Sequence, residues 1–128
     1  MNNKIRYWID LSDYDFDTAI IMLNGCRFLY VGFMCHQSVE KILKAYFLKV
    51  NKVQPPFIHN LIVLSEKSGL YDYLSEEQKD FLDLLNPLNI EARYPTYKTE
   101  LFKSLTKEKC EQLTRKTKEF NEWIKTML

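Results

Sequence analysis

The chain has 128 residues, 46% hydrophobic, 27% charged and 14% aromatic, with a net charge of +1; this fits one domain with its own core and excludes a nucleic-acid scaffold that works by bulk charge. Its three cysteines, Cys26, Cys35 and Cys110, are odd in number and lack a CxxC spacing, so neither a disulfide framework nor a metal site is expected. No apolar run approaches a membrane span and acids follow the start too soon for a signal peptide, so a cytoplasmic protein with no membrane partner is expected.

Three glycines and four prolines beside many Lys, Glu and Leu favour long helices. The first predicted helix covers 3–23. Tyr7, Leu11, Tyr14 and Thr18 follow one helical spacing; Trp8, Ala19 and Met22 broaden the stripe, and Asp10, Asp13, Asp15 and Asp17 lie between. Asn24-Gly25 is read as its stop, glycine accepting a left-handed cap.

The second predicted helix covers 28–50. Val39, Ile42, Leu43, Tyr46 and Val50 repeat at three- and four-residue steps, and Phe28, Val31 and Cys35 extend the stripe backwards. Gly32 costs about 1 kcal/mol against alanine there, so it is expected to admit a neighbouring backbone. Pro55-Pro56 closes off this region. A short third helix is read from His59 to Lys67, stopped by Ser68-Gly69. Ser75 to Gln78 has capping-box form and opens a fourth, with Phe81, Leu82, Leu84 and Leu85 inward. Asn86-Pro87 ends it, and 87–98, with two prolines, is read as irregular. Thr106 caps a last helix to Leu128, burying Leu113, Phe120, Trp123, Ile124 and Met127. The expected fold is all-α: a single domain over 1–128, an up-down antiparallel bundle of four main helices plus a short extra one, with no strand.

Most chemistry sits on the second helix. Gln37, Glu40, Lys41 and Lys44 fall at i, i+3, i+4 and i+7 and share one face, with His36 at its edge. Two readings fit: a solvated face with a local Glu40–Lys44 pair, or a ligand site. Further along come Phe57-Ile58-His59-Asn60-Leu61 and Asn89-Ile90-Glu91-Ala92-Arg93-Tyr94-Pro95. Lys41, Lys44 and Arg93 suit a phosphate, Tyr94 or Tyr97 a stacked base, and Gln37 a base edge. The bland alternatives are a structural His59 and an Arg93 that pairs with Glu40. The last helix mixes Lys and Arg with Glu and is read as a solvated face first.

The order Q-x-x-E-K-x-x-K-A (Gln37 to Ala45), H-x-L (His59 to Leu61) and A-R-Y-P (Ala92 to Pro95) resembles the HEPN domain family. Tyr7-Trp8, then Asp13-Tyr14-Asp15 and Ala19, resembles that family's first helix, with Ser12 in the small-residue place. The resemblance implies an all-α module that binds nucleotides or RNA, forms a homodimer, and is paired with a nucleotidyltransferase in a toxin–antitoxin system. The expected ligand-binding set is Gln37, Glu40, Lys41, Lys44, His59, Arg93 and Tyr94, with no cofactor. Ribonuclease members carry an arginine followed by a histidine after four to six residues. Arg6, Arg27, Arg93 and Arg115 have no such histidine. The chain is therefore read as a binding module. Two alternatives stay open: a metal-independent ribonuclease with a variant His36/Arg93 site, and a non-catalytic dimer scaffold joined through Tyr7, Trp8, Phe28, Tyr30 and Phe33.

Overall fold

The computed structural model describes residues 2–90 and 95–128, and those residues form helices and connections with no strand. In chain order the helices are α1 (Asn3–Asn24), α2 (Phe28–Asn51), α3 (Leu61–Lys67), α4 (Glu76–Leu85), α5 (Pro95–Ser104) and α6 (Lys107–Lys125). Single 3₁₀ turns lie at Tyr71–Tyr73 and Asn86–Leu88. Among the described residues no helix is long and apolar enough to cross a membrane.

α1 and α2 form an antiparallel hairpin through a three-residue link. The first helix stops there as expected, but by other means. Gly25 has φ −90°, and the left-handed residue is Cys26 at φ 58°. The Arg27 N–H then closes the turn on the Met22 carbonyl at 2.8 Å. The left-handed conformation costs a residue with a Cβ on the order of 1 kcal/mol, and Cys26 bears that cost.

α2 is the hub. It packs against α1, α3, α4, α5 and α6. Of its expected apolar stripe, Val31, Cys35, Val39, Ile42 and Leu43 are fully buried, Phe28 and Tyr46 are half-buried, and Val50, in the last turn, is exposed. Its other side is buried too, through Ser38, His36, Glu40 and Lys44. On one flank the helices are clasped by two serines. The Ser12 hydroxyl donates to the Ser38 carbonyl at 2.8 Å, and the Ser38 hydroxyl donates to the Ser12 carbonyl at 2.8 Å. Asn121 of α6 donates to the Ser38 Oγ at 2.9 Å. Ser12 and Ser38 are fully buried, so each hydroxyl satisfies a group that no water reaches.

The remaining helices start where side chains cap them. The Asn60 side chain accepts from the N–H groups of Ile62 and Val63, so α3 begins at Leu61 and His59 lies just outside it rather than opening it. Asn86 joins that cap, accepting from the Leu61 N–H at 2.8 Å and donating to the Asn60 Oδ1 at 3.1 Å. Ser75 and Gln78 make the predicted capping box, and Thr106 caps α6 through the Lys109 N–H. The segment expected to be irregular contains a helix: α5 begins at Pro95, because proline loses nothing in a first turn whose N–H groups have no helical partner.

Gly32 admits side chains rather than a backbone. A Cβ built there would lie 3.1 Å from the Leu88 Cδ1 and 3.3 Å from the Leu105 Cδ1. Gly32→Val would force both leucines aside, and overpacking of this kind costs about 1–3 kcal/mol. The expected result is a lower urea midpoint with an unchanged m-value; an unchanged midpoint would refute the tight fit.

Candidate functional site

Side chains on a helix lean toward its N-terminus, so long residues on α2 reach back over the preceding turn. Lys44 does this, and its Nζ meets Glu40 Oε2 at 3.0 Å. Lys41 does the same toward Gln37 Oε1 at 3.1 Å, and also crosses to Asp15 Oδ2 on α1 at 2.6 Å. Of the two readings of this face, the solvated one does not hold: the face is packed. Glu40 is 3% exposed and Lys44 6%, and Lys41 and Gln37 are half-buried.

A segment running from Lys52 to Asn60 lies over this face as a strap. It leaves α2 at Lys52, which is left-handed at φ 58°, buries Pro55, and brings His59 back to α2. There His59 Nδ1 meets Glu40 Oε1 at 3.0 Å. Glu40 thus shares its two oxygens between a lysine of its own helix and a histidine 19 residues away. The ammonium of Lys44 sits between two rings, 5.6 Å from the Trp8 centroid and 5.8 Å from the Phe57 centroid. Phe57 packs edge-on to His59 at 6.4 Å and is 94% exposed. A buried carboxylate needs a cation and hydrogen bonds to offset its desolvation, and Glu40 has both.

His36 lies beneath this arrangement and is fully buried. Its Nδ1 is 4.0 Å from Glu40 Oε1, beyond hydrogen-bond reach, and neither ring nitrogen is paired within hydrogen-bond geometry. Burial pushes its pKa down from 6.5 to about 4, against the pull of Glu40. The ring is neutral and enclosed, so His36 has no route to an RNA 2′-hydroxyl in this conformation; the ribonuclease alternative loses that participant.

The sequence-derived set thus divides. Glu40, Lys44 and His59 converge; Lys41 and Gln37 form an adjacent pair with Asp15. Arg93 and Tyr94 lie outside the described residues. Tyr97 is half-buried on α5. The ammonium groups of Lys41 and Lys44 are taken up by carboxylates, which leaves His59, with a 54% exposed side chain, as the outward member of the cluster. Three participants were not among the expected site residues: Asp15 and Trp8, read as part of the first-helix pattern and Trp8 also as core and interface; and Phe57, named only within its segment. The signal for Phe57 was its place between Pro55-Pro56 and His59, where an aromatic ring has no core periodicity to serve. Of the aromatics read as an interface, Tyr7 and Tyr30 are exposed, and Trp8, Phe28 and Phe33 are half-buried. Among the described residues no group of three or more His, Cys, Asp or Glu side chains is arranged to hold a metal ion.

A family model described as the HEPN domain matches residues 5–127. The crystal structure of TT1696 from Thermus thermophilus matches with a TM-score of 0.83 at 17% identity, covering 99% of this chain and 100% of that one. At that identity the likeness shows the shared fold. No curated protein matches the chain by sequence.

Two measurements test the cluster. Unfolded His36 titrates near the ordinary value and folded His36 near 4, so the unfolded chain binds the extra proton as pH falls through that interval. Stability is expected to drop by up to about 3 kcal/mol between pH 7 and pH 4 from this group, and His36→Gln should flatten that part of the profile. An unaltered slope in the variant would show that His36 is not buried as a neutral ring. Glu40→Ala leaves a buried ammonium without its anion and should cost about 3–5 kcal/mol. Glu40→Gln keeps an acceptor for His59 and should cost less; equal losses would mean that the charge of Glu40 is immaterial.

Proposed function

The chain belongs to the HEPN domain family, and from that premise we propose that it is a nucleotide- or RNA-phosphate-binding module whose ligand meets the strap where it crosses α2. The observation that carries this reading is the hydrogen bond that His59 Nδ1–H donates to Glu40. It occupies Nδ1 and leaves Nε2 as the ring's second hydrogen-bonding atom. With both ring nitrogens protonated, Nδ1–H donates to Glu40 and Nε2–H donates to a phosphate oxygen. Phe57, exposed beside it, offers a face on which a base stacks, the part assigned in sequence to Tyr94. Gln37, Lys41 and Lys44 then serve chiefly by fixing the carboxylates and the strap, and Arg93 and Tyr94 belong to the same proposal through the family resemblance. Lys44 holds Glu40, Glu40 orients His59, and Trp8 covers the pair from α1.

The homodimer, the nucleotidyltransferase partner and the toxin–antitoxin role belong to this proposal through family membership. The seat of the nucleotide is tested directly. Titration of the protein with ATP or a short oligouridine, followed by NMR, should shift the His59 imidazole and the Phe57 ring first, with smaller shifts at Lys41. Phe57→Ala should weaken binding by roughly 1–3 kcal/mol if a base stacks there. Saturable binding that moves neither His59 nor Phe57 would remove this site, and no binding would remove the function.

A further inference from the structure

A second surface lies on the other side of Trp8. The first turns of α1, the last turn of α2 and the start of the strap enclose an open cleft of about 1390 Å³. Its apolar lining includes Ile5, Trp8, Leu48, Pro55 and Leu128. Its cations are Lys4 from α1, Lys49 from the end of α2 and Lys52 at the turn into the strap. No aspartate or glutamate side chain lines it. Elsewhere the surface mixes its signs, as on α6, where lysines and glutamates alternate. In this cleft Lys4, Lys49 and Lys52 gather around an apolar surface with no aspartate or glutamate among the lining residues.

The shape and the backbone narrow the occupant. Single small-molecule sites enclose about 300–1,000 Å³ and converge their polar groups. This cleft is larger, and its lysines come from two elements, Lys4 from the start of α1 and Lys49 and Lys52 from the end of α2. The strap also contributes unpaired main chain: Val53 and Gln54 lie outside any helix, and their N–H groups meet no acceptor among the described residues. Val53 is 58% exposed and Tyr7 59%, adding apolar surface at the rim. Unpaired backbone beside an apolar trough suits an extended chain, whose main chain pairs while alternate side chains fill the trough.

We propose that this cleft receives an extended acidic peptide segment from a partner protein, with an apolar residue seated against Trp8, carboxylates facing Lys4, Lys49 and Lys52, and main-chain bonds to Val53 and Gln54. It is a separate site from the one at His59 and does not depend on it. The two share a residue, since Trp8 lines the cleft and its ring also sits beside the Lys44 ammonium.

The full chain carrying Trp123→Phe leaves Trp8 as the sole tryptophan and hence the optical reporter. The probe is a short fluorescein-labelled peptide of Asp and Glu around a central Phe-Leu pair. Saturable binding by anisotropy, with a matching change in Trp8 emission, is expected, and affinity should fall as salt rises. The exposed pair Lys49→Glu/Lys52→Glu should weaken the probe at least tenfold, with helicity by circular dichroism unchanged. Replacing Phe-Leu with Ser-Ser in the probe should weaken it to a similar degree. The proposal falls if the probe does not bind, or if the charge-reversed protein binds it equally well. It falls also if a lysine-rich peptide binds as tightly, or if ATP or oligouridine displaces the probe and reproduces the Trp8 change. That last result would make the cleft a nucleotide site. Loss of the His59 shifts with nucleotide would leave this outcome untouched, so the two sites fail separately.

Discussion

Two serines, one on each long helix, donate to each other's backbone carbonyl, and the position of everything else around α2 follows from that exchange. A hydroxyl that bonds to a carbonyl on the facing helix requires close approach, and only small side chains allow it. The clasp fixes how far α1 stands from α2 and also their register. Trp8 stands one turn before Ser12 and is thereby set beside Lys44; Asp15 stands about one turn after it and is set within 2.6 Å of Lys41. Asn121 ties α6 to the same point. A larger residue at 12 or 38 would separate the helices and take the cover off Lys44.

The polar cluster is stable because its charges are arranged in a chain. Lys44 neutralises Glu40, the rings of Trp8 and Phe57 surround the ammonium, and His59 takes the second carboxylate oxygen. Each group satisfies a partner that would otherwise be costly to bury. The chain ends on the outside, at a histidine on a strap. Buried electrostatics is thereby converted into the orientation of one exposed ring, which is what a binding site built on a connecting segment requires.

Much of this was legible in the residues. The limits of α1, α2 and α6, the capping box at Ser75 and the cap at Thr106 follow from spacing and side-chain chemistry, and the structure places them within a few residues. The errors share a cause. Periodicity states which residues lie on one face but not what the face meets. Glu40 and Lys44 looked solvated because α2 was read as a bundle helix with a wet side. A helix touched by five others has little wet side, and the strap covers what remains. The contact between Glu40 and His59 spans 19 residues and no local rule reports it. Pro95 was read as a breaker although it also suits a first turn, and Gly25 was given a left-handed conformation that Cys26 in fact adopts. The family resemblance was readable because it rests on the order of several weak motifs rather than on any one contact.

The two leucines that meet at Gly32 bracket the chain from 89 to 104. Leu88 enters that excursion and Leu105 leaves it, and both rest on the same point of α2. The two ends of residues 89–104 are thus pinned together, and α5 between them buries no residue of its own fully. Closing such a loop costs free energy that grows only with the logarithm of its length, about 0.6 kcal/mol for each doubling. Its length is therefore nearly free to change. The bundle can tolerate an insertion at the exposed end of α5 without disturbing the clasp, the hub helix or the strap, so that end is the natural place for the chain to acquire a different attachment while keeping the same body.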